Sequence, residues 1–223
     1  MKHSLEELRK LQEEMSKRVV LREIDLGKVE HVLGVDQAFL GDKIISVGVL
    51  MSFPEMKIMG SSVRVEREDF PYIPGYLMFR EGPSALKVVK ELLQENTLIL
   101  VDGSGIAHPR RCGLATYIGI ETQTPTIGIT KSRLFGEYTE PRDTGDISPL
   151  THNGEIIGYA MKTCRRCKPI FISPGNMITP LQAVEAVKLC LKGYKLPEPI
   201  RIADRLSKER RKEEAENGRY NKI

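Results

Sequence analysis

Residues 97–103, TLILVDG, form the most apolar run of the sequence and end in an aspartate and a glycine. Such a run is typical of a strand covered on both faces, because a strand with one exposed face alternates apolar and polar residues. Helical patterns before and after it favour a parallel strand of an α/β sheet. Asp102 would then lie at the carboxyl end of that strand, where open α/β sheets collect their ligands.

Strand patterns continue on both sides of this run. Residues 31–39, 43–52 and about 57–66 have short connections and predict an antiparallel meander. Residues 125–130 predict a second parallel strand, and 156–162 and 169–173 also have strand character. The pattern therefore predicts an α/β fold whose mixed sheet consists of an antiparallel meander followed by parallel strands, flanked by helices.

Helix signals lie between these strands. Ser4 and Glu7 form a capping box, Pro83 suits the first turn of a second helix, residues 110–121 predict a third, and Thr179 announces a fourth. No internal repeat or long linker divides the chain. We expect a single domain over residues 1–223, with a polar tail from about residue 207.

The composition is that of a globular chain, with 223 residues, 40% hydrophobic and 29% charged residues, and a net charge of +4. This charge permits a nucleic-acid partner without predicting one. No apolar run reaches the length of about eighteen residues that a membrane span needs. Because the N-terminal MKHSLEELRK also lacks the apolar core of a signal peptide, we expect a cytoplasmic protein without a membrane partner. We also expect a monomer.

The four cysteines, Cys112, Cys164, Cys167 and Cys190, favour free thiols over a disulfide framework in a cytoplasmic chain. Cys164 and Cys167 form a CxxC pair, but a zinc site would need two more ligands at suitable spacing. The pair precedes a strand, whereas a redox CxxC normally opens a helix. Neither a zinc site nor a redox site is predicted here.

Three acidic residues occupy unusual positions. Asp36 interrupts an apolar strand, Asp102 ends the run quoted above, and Glu81 lies in the predicted loop before Pro83. Asp36 alone is also explained by solvent or an arginine partner, and Asp102 alone by a turn with Gly103. Together, carboxylates from separate segments match the hard oxygen ligands that Mg²⁺ takes, usually alongside substrate phosphates.

Two further polar residues lie near the same predicted sheet edge. His108 follows Asp102 in a loop, and Lys131 directly follows the strand that ends at Thr130. A loop histidine is commonly a hydrogen-bonding residue, and a lysine is by default solvated. Beside a carboxylate cluster, however, Lys131 could orient a water molecule or hold a phosphate.

The segment Pro71–Gly75, PYIPG, is rigid and apolar and carries Tyr72. Its two prolines fix the backbone, so the loop would keep its shape outside the core. One interpretation is a packed Ω-type loop. The other is a wedge, including Tyr72, Ile73 and Pro74, inserted between stacked bases, as enzymes that extrude a nucleotide require.

The sequence resembles the endonuclease V family from about residue 30 to residue 206. The segments that carry the resemblance are GVDQAF (34–39), PYIPGYLMFRE (71–81), VDGSGIAHPRRCGLATYIG (101–119), GITKSRL (128–134), SPG (173–175) and LPEPIRIADRL (196–206). The long segment around Asp102 is the specific one. Two positions depart from the family pattern. Tyr117 stands where many members have histidine, and Asn176 stands where some members have it.

The resemblance implies an RNase H-like fold and a nuclease that cuts inosine-containing nucleic acid at the second phosphodiester 3′ to the lesion, leaving 3′-hydroxyl and 5′-phosphate ends. It implies Mg²⁺, for which Mn²⁺ is an expected substitute, with Asp36 and Asp102 as ligands. The catalytic positions it implies are Asp36, Glu81, Asp102, His108 and Lys131. The substrate-binding positions are Tyr72, Ile73, Pro74, Gly75, Leu77, Gly103, Leu114 and Leu134.

The expected partner is DNA containing deoxyinosine, and the expected role is DNA repair. An enzyme that prefers inosine in RNA is the alternative within the family. A non-catalytic binder of damaged nucleic acid would not need three acidic residues. An ATP-using protein of the same fold superfamily, suggested by the DGSG segment at 102–105, would need two such lobes, and 223 residues hold one.

Overall fold

The computed structural model describes residues 4–220, so residues 1–3 and 221–223 of the predicted domain lie outside the described residues. The strands are β1 (His31–Leu40), β2 (Lys43–Ser52), β3 (Ile58–Arg67), β4 (Thr97–Asp102), β5 (Thr126–Thr130), β6 (Ile147–His152), β7 (Glu155–Met161) and β8 (Ile170–Asn176). The helices are α1 (Leu5–Ser16), α2 (Leu77–Leu92), α3 (Leu114–Thr122), α4 (Pro180–Leu189) and α5 (Glu198–Tyr220), with a short 3₁₀ helix at Leu26–Lys28.

The eight strands form one mixed sheet in the order β3-β2-β1-β4-β5-β8-β7-β6. Strands β1, β2 and β3 pair antiparallel, while β1, β4 and β5 are mutually parallel neighbours. Strand β8 returns antiparallel to β5, followed by β7 and β6. The predicted meander and parallel strands are therefore confirmed, whereas β6 was not predicted.

Helices cover both faces of the sheet, which explains why its central strands are mostly apolar. Leu33, Val35 and Val101 pack with residues of α2 and α3 on one face. On the other face, β1 and β4 side chains pack with α4 and α5. Helix α5 approaches β1 so closely that a Cβ atom at Gly34 would lie 2.3 Å from the carbonyl carbon of Pro199, so glycine is required there.

Helix α2 begins earlier than predicted. It starts at Leu77 and contains Pro83, which was expected in its first turn. Pro83 lies on the exposed face, where water can solvate the Phe79 carbonyl that the missing proline N–H leaves without its helical partner. Glu81 consequently belongs to the helix and is buried, and the prediction that it lies in a loop is wrong.

Helix α1 begins at the predicted capping box, in which Ser4 Oγ accepts from the Glu7 amide and Glu7 accepts from the Ser4 amide. Its buried side consists of Leu8 and Gln12, whereas Leu5 is exposed. A polar residue, Gln12, thus occupies an inward position of the helix and finds hydrogen-bond partners there.

The prediction that all four cysteines are free thiols is wrong for one pair. Cys164 and Cys167 form a disulfide in the β7–β8 connection, whereas Cys112 and Cys190 are buried free thiols. The turn brings the Cα atoms of the pair to 5.5 Å, a separation that a disulfide bridges readily.

The segment from residue 207, expected to be a polar tail, lies within α5. Ser207 itself is buried, while most of the following side chains up to residue 217 are exposed. Among the described residues, no helix is both long and apolar enough to cross a membrane.

Candidate active site

A cluster of three carboxylates lies at the carboxyl edge of the parallel strands. Because β1 and β4 are parallel with Val35 beside Val101, Asp36 and Asp102 follow as neighbours. Helix α5 adds Asp204, and carboxylate oxygens of the three residues lie within 4.8 Å of one another. Asp36 is only 6% exposed, and Ser207 Oγ donates to its Oδ2 at 2.6 Å.

Lys131 bridges two members of this cluster. Its Nζ donates to Asp102 Oδ2 at 2.7 Å and to Asp204 Oδ1 at 2.9 Å. Burial disfavours the ammonium charge, but the two carboxylates outweigh burial and raise the Lys131 pKa. Lys208 also donates to Asp204, and the hydrogen bonds of both lysines outweigh burial and lower the Asp204 pKa. Lys131 is therefore a fixed positive charge against the carboxylates.

Two carboxyl groups at the site are difficult to ionise. Burial, and then the charge of Asp102, raises the Asp36 pKa to about 7. Burial, followed by the charges of Asp102 and Asp36, raises the Glu81 pKa to about 8. A divalent cation held by the hard oxygens of Asp36, Asp102 and Asp204 would relieve this repulsion, so the donor set fits such an ion.

A second network fixes the PYIPG loop. The Gly75 carbonyl accepts hydrogen bonds from Gln12 Nε2 at 3.1 Å, from His108 Nε2 at 3.0 Å and from the Arg110 guanidinium. Gln12 also donates to the Cys112 carbonyl at 3.0 Å and accepts from Arg110 Nε at 2.6 Å. Helix α1 and the loop after β4 together hold the loop in place.

His108 is neutral in this network. The Arg110 amide donates to His108 Nδ1 at 3.1 Å, so the proton lies on Nε2, which donates to the Gly75 carbonyl. Burial, and then the Arg110 charge, lowers the His108 pKa to about 4. The structure thus places His108 beside the PYIPG loop, in the cavity that Asp102 and Lys131 also line.

Two cavities adjoin at the sheet edge and share Leu77, Asp102 and Lys131. The first, of about 340 Å³, is lined by all eight predicted substrate-binding residues, namely Tyr72, Ile73, Pro74, Gly75, Leu77, Gly103, Leu114 and Leu134. The second, of about 470 Å³, is lined by Asp36, Glu81, Asp102, Asp204, Ser207, Lys208 and Arg211 among others. An apolar pocket therefore opens directly beside the acidic cleft.

Tyr72 projects from the loop and is 67% exposed. Its ring lies 5.9 Å from the guanidinium carbon of Arg80, which packs at 4.0 Å over the ring of Phe39. An exposed, supported aromatic ring beside an apolar pocket can stack on a base.

Three residues of the site were missed from the sequence, namely Asp204, Ser207 and Gln12. Asp204 and Ser207 share the inward side of α5 with Ile200 and Ala203, so polar residues in a buried helical stripe were the available signal.

Tyr117 and Asn176, the two positions that depart from the family pattern, have structural roles. Tyr117 packs against Gly82 of α2, and Asn176 donates to the Gly119 carbonyl while accepting from the Val20 amide.

Comparison with known families identifies the chain. The family model for endonuclease V matches residues 13–205. The chain belongs to the endonuclease V family. It is accordingly an endonuclease, a hydrolase of nucleic acid, and the RNase H-like fold implied by the sequence resemblance is confirmed.

Relatives and solved structures agree with this assignment. An endonuclease V of Archaeoglobus fulgidus is 58% identical over 211 residues, 94% of this chain and 95% of the relative. The Streptomyces avermitilis endonuclease V structure matches with a TM-score of 0.87 at 33% identity, over 95% of each chain. The Ciona intestinalis endonuclease V matches with a TM-score of 0.79 at 27% identity over 94% of this chain and 98% of its own. That protein was solved with a 24mer DNA containing an inosine followed by a ribo-adenosine.

Proposed function

We propose that this endonuclease repairs DNA by recognising deoxyinosine, the product of adenine deamination, and hydrolysing the second phosphodiester 3′ to it. The products carry 3′-hydroxyl and 5′-phosphate ends. Mg²⁺ is the proposed cofactor, with Mn²⁺ as a substitute, and the enzyme acts in the cytoplasm as a monomeric single domain. The observation that carries the proposal is the apolar pocket opening directly beside the acidic cleft.

The apolar pocket is suited to a base turned out of the stack. Its lining is small or apolar around Gly103 and Leu114, so shape and backbone groups would read hypoxanthine, whose O6 and N1–H distinguish it from adenine. Tyr72 would occupy the gap left in the stack. The three hydrogen bonds on the Gly75 carbonyl keep this loop preorganised, which lowers the entropy cost of binding.

The acidic cleft is suited to phosphodiester hydrolysis. Asp36, Asp102 and Asp204 would hold the divalent cation, which when bound lowers the pKa of water and offsets charge on the phosphate. Lys131 supplies a fixed positive charge beside the phosphate oxygens. Glu81 lies in the same cleft, where its carboxyl group can orient the attacking water. Ser207 holds the Asp36 carboxylate in place.

Cleavage of a duplex with a single deoxyinosine tests this proposal. The wild-type protein should cut the duplex in Mg²⁺, and Asp102→Asn should lose the activity. Asp143→Asn is the matched control, because Asp143 is exposed and lies outside both cavities. Equal cutting by Asp102→Asn would contradict the site. Binding in EDTA that never leads to cutting in Mg²⁺ would favour the non-catalytic binder.

A preference for inosine in RNA is the second candidate, favoured by the ribo-adenosine in the nucleic acid bound to the Ciona relative. Three matched substrates separate the candidates: deoxyinosine in DNA, the same DNA with one ribonucleotide after the lesion, and inosine in RNA. The main proposal expects the all-DNA substrate to be cut at least as fast as the other two. Cutting restricted to substrates with a 2′-hydroxyl after the lesion would instead establish the RNA-type activity.

A further inference from the structure

The connection between β7 and β8, residues 162–169 (KTCRRCKP), is a basic loop without an acidic residue. Arg165, Arg166 and Lys168 are exposed, and none of them belongs to an ion pair among residues 4–217. The Cys164–Cys167 disulfide spans the two arginines. Thr163 Oγ1 donates to the Lys195 carbonyl at 2.8 Å, which fixes the base of the loop.

The sheet register places this basic loop at the edge that holds the active site. Strand β8 runs antiparallel to β5 with Phe171 beside Thr130, so β8 begins beside the end of β5, which Lys131 directly follows. Strand β7 ends beside the start of β8. Strand β4 carries Asp102, and in the sheet β8 is the second strand from β4 and β7 the third. At a spacing of about 4.8 Å between neighbouring strands, the loop between β7 and β8 therefore begins and ends roughly 10–14 Å from β4.

This distance can be converted into a number of base pairs of a nucleic acid bound in the cleft. Duplex DNA rises about 3.4 Å per base pair, so roughly 10–14 Å corresponds to three or four base pairs. Exposed cations without acidic partners lose no ion pair when they bind phosphate, and a loop closed by a disulfide loses little freedom. We infer that the basic loop binds the phosphodiester backbone three or four nucleotides from the bond that is cut. The position relative to the cut rests on the proposed function.

Salt-dependent binding of an undamaged duplex of about 24 base pairs in Mg²⁺ tests the phosphate contact, because this probe needs neither deoxyinosine recognition nor cleavage. Two lost phosphate contacts should reduce the slope of log K against log salt by about 2 in Arg165→Gln/Arg166→Gln. The affinity ratio of wild type to variant should correspondingly fall roughly tenfold between about 50 mM and 200 mM salt. Arg165→Lys/Arg166→Lys, which keeps the charge, should retain most of the wild-type slope.

The matched control is Arg18→Gln/Arg22→Gln. Arg18 and Arg22 are also exposed, but they lie near Gln123, which precedes β5 and therefore marks the opposite edge of the sheet. The control should keep the wild-type slope. An unchanged slope in Arg165→Gln/Arg166→Gln, or an equal fall in the control, would overturn the inference. Melting temperatures of all variants verify that each is folded.

Neutral methylphosphonates placed singly along a deoxyinosine duplex test the position. The inference expects one substitution three or four nucleotides from the cut to slow wild-type cleavage but not cleavage by Arg165→Gln/Arg166→Gln, because the contact is already lost there. Equal slowing of both proteins at every position would contradict it. If no deoxyinosine duplex is cut, the proposed function fails, while the salt slope still decides whether the loop binds phosphate.

Discussion

Replacement of Gln12 by leucine tests whether α1 holds the recognition loop. Gln12 is fully buried and makes three hydrogen bonds, to the carbonyls of Gly75 and Cys112 and from Arg110 Nε. The Gly75 carbonyl keeps His108 and Arg110 as donors, so losing the Gln12 hydrogen bond there costs little free energy. The buried Cys112 carbonyl loses its Gln12 partner at about 1–3 kcal/mol, and the half-buried, charged Arg110 Nε loses its Gln12 partner as well. We therefore expect a loss of about 3 kcal/mol in the free energy of unfolding.

Urea unfolding measures this loss, and Gln94→Leu, at an exposed position, is the matched control. The same network predicts a functional effect, because a looser loop should weaken binding of a deoxyinosine duplex more than binding of an undamaged duplex. A loss below about 0.5 kcal/mol, within the range of ordinary surface substitutions, would refute the reasoning. Equal weakening of both duplexes would show that the network stabilises the fold without organising the pocket.

Three further predictions concern the two cavities. Asp204→Asn should weaken Mg²⁺ binding in calorimetry and lower cleavage at least about 100-fold, because a ligand of the carboxylate cluster is lost. The control Asp143→Asn should change neither. A wild-type Mg²⁺ affinity in Asp204→Asn would show that Asp204 is not part of the site. His108 stays neutral in the folded protein, with its pKa lowered from 6.5 to about 4, whereas the unfolded chain takes up a proton below pH 6.5. Between pH 7 and 4 the wild type should therefore lose about 3 kcal/mol of unfolding free energy relative to His108→Gln, and parallel pH profiles would contradict this. In Gly103→Val, a Cβ atom would lie 3.1 Å from Leu114 Cβ, and the added methyl groups would intrude on the apolar pocket. The preference for deoxyinosine over undamaged DNA should therefore fall at least about tenfold, while the Mg²⁺ affinity is kept. Unchanged discrimination would refute the assignment of this pocket to the base.

The sequence predicted the central strands and the neighbouring carboxylates Asp36 and Asp102 because both follow from local pattern. A continuous apolar run identifies β4, and an acid at its end needs no knowledge of distant contacts. Register then brings Asp36 beside Asp102, since parallel strands end at one edge. The substrate-binding positions came from the family resemblance, and the structure brings all eight to one cavity.

Other features depend on packing between distant segments and were missed for that reason. Asp204 belongs to a long polar helix, and only the close approach of α5 to Gly34 brings it to the carboxylates. Gln12 was missed because the carbonyls that it binds are 63 and 100 residues away in the sequence. Helix α2 extends before Pro83 because burial of Met78 outweighs the local preference of proline for a first turn.

The most direct measurement of the central claim maps the cut while the lesion is moved. In the proposed function, one cavity binds the base and the adjoining cleft hydrolyses a phosphodiester at a fixed offset from it. In duplexes of constant sequence with deoxyinosine shifted by one, two or three nucleotides, the cut should shift by the same number and stay at the second phosphodiester 3′ to the lesion. A cut that stays at one sequence position, or that appears equally without deoxyinosine, would contradict the account.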